Sequence, residues 1–288
     1  MSTNTNQIPN LKKNKTKTGK HKFKKLNCHP KHKTKKFTCY DDNTLIMFKN
    51  LWNKKHQDNP IQSLQVMDIW TELQKKIPTC TDELCWADKE FQVDKKNHFT
   101  PNAPKDWETN LWLSNFDIEN VLKQYKEAYP NFEYLGPSPI DFDTKLGDTC
   151  VEEGICKLNI SEKLKNGINK IGVSINLDTH EKGGSHWVTL FIDLEKKFIF
   201  YFDSCGEKIP KQIKDLMDRV EKQCTEAGLK LTQHDSEKMK HQHGTTECGM
   251  YSLYCIVHLL EGKHTIDYFK KRRIPDKDVA RYRKIYFN

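Results

Sequence analysis

The sequence has no uninterrupted run of about 18 apolar residues, the length that a membrane-spanning helix needs. Its N-terminus also lacks the apolar core of a secretory signal. Neither a membrane span nor secretion is expected. The first 40 residues contain no Asp or Glu at all, and hold twelve lysines. A segment with no apolar stripe cannot bury enough surface to fold alone, so residues 1–40 are expected to form a disordered basic tail. Aromatic residues are scarce there too, with Phe23 and Phe37 too few to interleave as a base-stacking surface. Two readings of the tail stay open: a solvated solubilising or sorting segment, or a tether to nucleic acid or another acidic partner.

Beyond the tail, 36 of the 48 basic residues face 39 acidic ones. The net charge of +9 therefore belongs to the tail, and the body is near neutral. Ten cysteines at irregular spacing, in a chain with no visible route to an oxidising compartment, are expected to be free thiols. Cys80-Thr-Asp-Glu-Leu-Cys85 could suggest a metal clip, with Cys28, His29, His32 and Cys39 as its other half. A structural zinc site needs four ligands, and the lysines crowding the second group oppose a cation. No metal or other cofactor is expected.

The 288 residues suit one large catalytic domain with additions at the N-terminus. Apolar positions at helical spacing, interrupted by Asn59-Pro60 and Pro78, predict two helices within an N-terminal arm over residues 41–105. Residues 106–288 form the catalytic domain. A helix follows Trp112, capped by Ser114 or Asn115, whereas residues 131–165 read as loop-rich around Gly136-Pro-Ser-Pro139. Then the pattern changes to Ile171-Gly-Val-Ser-Ile-Asn-Leu177, Trp187-Val-Thr-Leu-Phe-Ile192 and Phe198-Ile-Phe-Tyr-Phe202, which read as buried strands. The last two are joined as a hairpin. A helix is expected over residues 209–224, a short strand over 229–233, and a strongly apolar helix that begins at Cys248.

That last helix gives Cys248 a chemical role. Cysteine is nucleophilic as the thiolate, and a helix N-terminus and a nearby imidazolium both favour the anion. His186 opens one strand of the hairpin and Asp203 closes the other, so antiparallel pairing brings base and carboxylate together. Asp203 would orient one imidazole nitrogen and leave the other for the thiol. Gln242 lies six residues before Cys248, close enough for its side-chain amide and the Cys248 backbone N–H to converge on one oxyanion. His180, His241, His243 and His258 are weaker candidates for the base, because none opens a strand whose partner ends in a carboxylate.

His, Asp, Gln and Cys in this order resemble the SUMO/ubiquitin-like-specific cysteine protease superfamily, which includes the adenovirus maturation protease. The resemblance covers about residues 110–260. Within that group, Trp112-Leu-Ser-Asn-Phe-Asp-Ile, Gly184-Ser-His-Trp-Val-Thr-Leu-Phe-Ile-Asp193 and Thr245-Thr-Glu-Cys-Gly-Met-Tyr-Ser-Leu-Tyr254 look most like the polyprotein-processing proteases of asfarviruses and related large DNA viruses. The Cys80 to Cys85 spacing is similar there too. One departure is Asp203, where those proteases carry Asn.

The resemblance implies an α+β fold: a papain-like core with a central mixed sheet, flanking helices and the nucleophile at the start of a core helix, plus a helical arm. It implies a cysteine peptidase that cuts a structural polyprotein or precursor after Gly-Gly-Xaa-type sites, in the virion and host cytoplasm. Trp112, Asn115 and Trp187 are expected near the substrate cleft. The alternatives are an isopeptidase acting on a ubiquitin-like modifier, and a non-catalytic protein- or DNA-binding module that keeps the fold.

Overall fold

The structure is a computed structural model that describes residues 23–32, 37–93, 96–104 and 111–288. The greater part of the basic tail, residues 1–22, and its lysine-rich segment 33–36 lie outside the described residues. Residues 23–32 and 37–40 depart from the expected disorder. Leu26, His29, Cys39 and Tyr40 are buried, and Cys28 bridges to Phe99, so this stretch straps the arm. The apolar spacing of the lysine run hides these few anchors, which bury only because the arm supplies their partners.

Helix α1 spans Asp42–Lys55, and Asp41 caps it by accepting the Thr44 N–H. Helix α2 spans Val66–Lys76. Both pack through Phe48, Trp52, Ile69 and Leu73 into a cluster centred on Trp86. Asn27 and Asn288 clasp this arm to the end of the chain: Asn27 donates from its backbone to Asn288 Oδ1 (2.6 Å), and Asn288 Nδ2 returns a bond to Asn27 O (3.1 Å).

The catalytic portion is a five-stranded mixed sheet. In chain order its strands are β1 (Phe132–Pro139), β2 (Lys170–Asn176), β3 (Trp187–Asp193), β4 (Phe198–Phe202) and β5 (Thr232–Asp235). Their order in the sheet is the same, with parallel pairs at both edges and antiparallel pairs in the middle. Side chains alternate between the faces of a strand. Val188, Leu190, Ile192, Ile199 and Tyr201 therefore enter the cluster on one face, where helix α4 lies. Trp187, Phe191, Phe198, Phe200 and Phe202 enter the other. Helix α3 (Asn115–Ala128) and helix α5 (Cys248–Leu260) cover this second face; α4 is Lys211–Glu226.

Ser114, not Asn115, caps α3, in a capping box with Asp117. Strand β1 was not anticipated in the stretch read as loop-rich. Its Gly-Pro-Ser-Pro segment masks a strand that sits at the sheet edge, where missing N–H donors are tolerated and the register shifts between Leu135 and Ser138. Three short helices, Ile266–Lys271, Asp276–Ala280 and Arg283–Tyr286, complete the C-terminal segment.

Six of the ten cysteines are paired, contrary to the expectation of free thiols: Cys28 with Cys39, Cys80 with Cys85, and Cys150 with Cys156. Each pair is 5 to 11 residues apart in sequence, and local turns bring Cα atoms within 6.4 Å. Irregular spacing along the whole chain conceals such local closures. Cys205, Cys224, Cys248 and Cys255 remain free.

All residues of α5 are buried, as befits a helix that is apolar all round. Its approach to the sheet depends on Gly172, where an added Cβ would stand 3.0 Å from Ile256 Cγ2 and 3.0 Å from Phe132 Cζ. Gly172→Val is expected to lower stability by about 1–3 kcal/mol through overpacking. Denaturant unfolding checks this; a midpoint equal to the wild type's would refute it.

Candidate active site

The β3–β4 hairpin places the base beside its carboxylate. Thr189 stands opposite Phe202, and the same register carried outward sets Cys205 across from His186 with Asp203 diagonal to it. His186 Nε2 donates to Asp203 Oδ1 at 2.7 Å. The carboxylate is fully buried and held in place: Oδ1 also accepts the Cys205 N–H at 2.8 Å, and Oδ2 accepts the Glu207 N–H at 3.2 Å. From β5's end, Ser236 Oγ accepts the Asp203 backbone N–H at 3.0 Å.

The Cys205 and Cys248 thiols lie beside the His186 imidazole. Burial by itself disfavours imidazolium, but the hydrogen bond with Asp203, the two neighbouring thiols and the Asp203 charge outweigh it. The His186 pKa is raised to about 12, so the ring holds both protons at neutral pH. Of the other candidates, His180, His241 and His258 have ring partners of their own, whereas His243 is exposed. His180 Nδ1 pairs with Asp141 at 2.6 Å. His241 accepts the Ile274 N–H on Nδ1 and donates from Nε2 to Phe269 O, and burial lowers its pKa to about 4. His258 lies in the core beneath Tyr254 and Tyr282, and the His243 backbone N–H donates to Asp276.

Cys248 is the first residue of α5, so its backbone N–H belongs to the first turn, where donors lack an intrahelical partner. Gly249 lets this end of the helix meet the preceding α3 segment; a Cβ there would lie 2.9 Å from Leu113 Cβ. Leu113 O in turn accepts the Trp187 indole N–H at 3.1 Å. One residue thus seats both the nucleophile's helix and the tryptophan beside the base.

Gln242 is 4% exposed, and its amide orientation is determined. Gly244 O can only accept, so it fixes Nε2 as the nitrogen at 2.9 Å, and Ser204 Oγ donates to Oε1 at 2.8 Å. Among the described residues no acceptor takes the second amide hydrogen. A side-chain donor and the Cys248 N–H are the two groups that an oxyanion requires.

Trp112, Asn115 and Trp187 line one cleft of about 590 Å³, walled further by Pro137, Asn176 and Gly184; His186, Gln242 and Cys248 are not among its lining residues. Trp112 is 48% exposed, leaving its ring on the cleft rim. Sequence reasoning missed three supporting groups. Ser204 was hidden because a serine after the acid has no motif of its own. Cys205 was legible in the hairpin register, which puts it opposite the base. Arg283 pairs with the equally buried Glu247, just before the nucleophile, at 3.0 Å and also donates to Leu111 O. Only the tertiary fold brings Arg283 there.

His186, Asp203 and Cys205 offer possible ligand atoms within 4.8 Å of one another. The 2.7 Å separation of Nε2 and Oδ1 is that of a hydrogen bond, shorter than the roughly 3.3 Å between two ligands of a tetrahedral zinc ion. The cluster is arranged as an acid–base pair beside two thiols.

Residues 168–288 match the Ulp1 protease family, C-terminal catalytic domain. The chain is 28% identical over 179 residues to a putative thiol protease of Acanthamoeba polyphaga mimivirus, covering 61% of this chain and 56% of that protein. It is 28% identical over 181 residues to a SUMO-1 cysteine protease of African swine fever virus, covering 59% of this chain and 66% of that one. The aligned segments thus span between half and two thirds of these relatives. The crystal structure of an African swine fever virus protease shares the fold, with a TM-score of 0.65 over 91% of this chain and 95% of that chain at 21% identity. The residues that match the Ulp1 protease family model hold His186, Asp203, Gln242 and Cys248, so the similarity lies in the part of the chain that carries the site.

Proposed function

We propose that this protein is a cysteine endopeptidase of a large DNA virus that processes a structural polyprotein or precursor after Gly-Gly-Xaa-type sites during virion maturation, acting in the virion and host cytoplasm. The observation that carries the peptidase reading is the His186 imidazole, hydrogen-bonded to buried Asp203 at 2.7 Å with Cys248 beside it at the start of a core helix. The viral relatives named as thiol or cysteine proteases support the peptidase chemistry and the viral setting.

In the first step the Cys248 thiolate adds to the scissile carbonyl, and the oxyanion takes the Cys248 N–H and the second Gln242 amide hydrogen. His186 then gives its proton to the departing amine, the C–N bond breaks, and a thioester remains. Water adds to the thioester with its proton passing to His186, and collapse of the second tetrahedral species releases the carboxylic acid and Cys248. Asp203 keeps the ring oriented and stabilises its charge throughout.

A second reading is deconjugation of a ubiquitin-like modifier, favoured by the name of the African swine fever virus relative, a SUMO-1 cysteine protease. Both readings share one chemistry. Incubation with a Gly-Gly-Xaa peptide, a viral precursor and a SUMO conjugate separates them, and cleavage of the conjugate alone would overturn the first. Cys248→Ser is expected to abolish turnover on every substrate, which product analysis by mass spectrometry checks.

Asp203→Ala is expected to lower kcat on the order of 10²–10⁴-fold. Asp203→Asn keeps a hydrogen-bond acceptor but removes the charge that raises the His186 pKa. The alkaline limb of the pH–rate profile is therefore expected to move to lower pH in this variant. The sign for stability is the same: the raised His186 pKa gives stabilisation fully present below its ordinary 6.5 and lost as pH rises through the elevated value. Kinetics from pH 5 to 12 check the limb, and an unmoved limb would refute the assignment.

A further inference from the structure

The segment that carries the oxyanion donor has few contacts of its own. His243 and Gly244 are exposed, and Gln242 Nε2 is bonded to Gly244 O within the same turn. Ser204 O accepts the His241 and Gln242 N–H groups at 2.9 and 2.8 Å, and the two exposed residues that follow are held from the C-terminal part of the chain. Asp276 Oδ2 accepts the His243 N–H and the Gly244 N–H, each at 3.0 Å. Its other oxygen, Oδ1, lies 2.9 Å from the Tyr251 hydroxyl, whose single proton is shared with Ile274 O at 2.7 Å. Tyr251 belongs to α5, one turn beyond Cys248.

We propose that Asp276 is a positioning residue: its carboxylate ties the Gln242 turn to the nucleophile helix and so sets the aim of the oxyanion donor relative to Cys248. The inference rests on the peptidase reading above. Two successive amides converging on one carboxylate fix the turn in two dimensions, where a single bond would leave a hinge. Gly244 is then the link that transmits the restraint, since its N–H is held by Asp276 while its carbonyl holds Gln242 Nε2. Asp276 touches neither Cys248 nor His186 through any of these bonds. Its effect is therefore expected on steps that need the oxyanion donor, and not on thiol reactivity as such.

The test compares wild type, Asp276→Asn and Asp276→Ala in the full chain. Asn keeps the shape and one acceptor oxygen but turns an NH₂ toward donors; Ala removes both acceptors. Three readouts are taken: steady-state cleavage of a Gly-Gly-Xaa peptide, the rate of Cys248 alkylation by iodoacetamide followed by mass spectrometry, and hydrogen exchange of the His243 and Gly244 amides. Alkylation displaces iodide at carbon and forms no oxyanion. The expected result is a kcat roughly 10–100-fold lower at unchanged KM, alkylation at the wild-type rate, and faster exchange at both amides. Wild-type kcat or wild-type exchange in both variants would overturn the proposal. So would a parallel loss of turnover, alkylation and thermal stability, which marks a merely structural role. If the wild type cleaves no Gly-Gly-Xaa peptide, the precursor-processing reading fails by itself, and unchanged exchange in both variants overturns the brace.

Discussion

Burial of α5 against the sheet is the constraint on which the active site depends. A helix whose every residue is buried has no freedom to turn or slide without opening voids, and protein interiors tolerate few of those. Its N-terminus is therefore a fixed point in the molecule, and Cys248 stands on it. Polar contacts sharpen the fit: Ser252, one turn below the nucleophile, bonds Ser174 on β2 at 3.1 Å and Thr189 on β3 at 2.8 Å. These hydroxyls have no solvent to compete with, so they favour one register of helix on sheet. The base and its carboxylate come from the same sheet, which makes nucleophile and base parts of one packed unit.

The oxyanion side is built differently. Gln242 lies in a turn, and turns are positioned by what reaches them. Ser204, adjacent to the acid, holds the amide oxygen, whereas the residues near the chain's end hold the backbone around it. The buried Glu247–Arg283 pair stands between turn and helix. Removing one partner of a buried ion pair leaves the other charge desolvated, so such a pair favours retention of both. Rigid helix and externally braced turn meet at the position of the developing negative charge.

Much of this was legible in the sequence because the signals were local or periodic. The strands around residues 187–192 and 198–202 announce themselves by β-branched and aromatic runs, and the hairpin between them follows from length alone. Cys248 at a helix start follows from Met250, Leu253, Tyr254 and Val257 at helical spacing. Strand β1 was not legible, since its proline and glycine residues signal turns and only the neighbouring β2 makes them a strand. The three cysteine pairs and the buried anchors Leu26 and Tyr40 escaped for a related reason: their partners are specified by folding, not by any repeat in the chain. Arg283 and Asp276 act on the site from a distance in sequence that no motif spans.

Cys205 gives the active site a stoichiometry of its own. The His186 imidazole has two sulfurs beside it, one nearly inaccessible on the helix and one partly exposed on the hairpin. Reagents that count thiols by reactivity meet two candidates around one base, and the more accessible of them is not the nucleophile. A molar ratio of one label per chain therefore does not name its site; the identity of the modified peptide does.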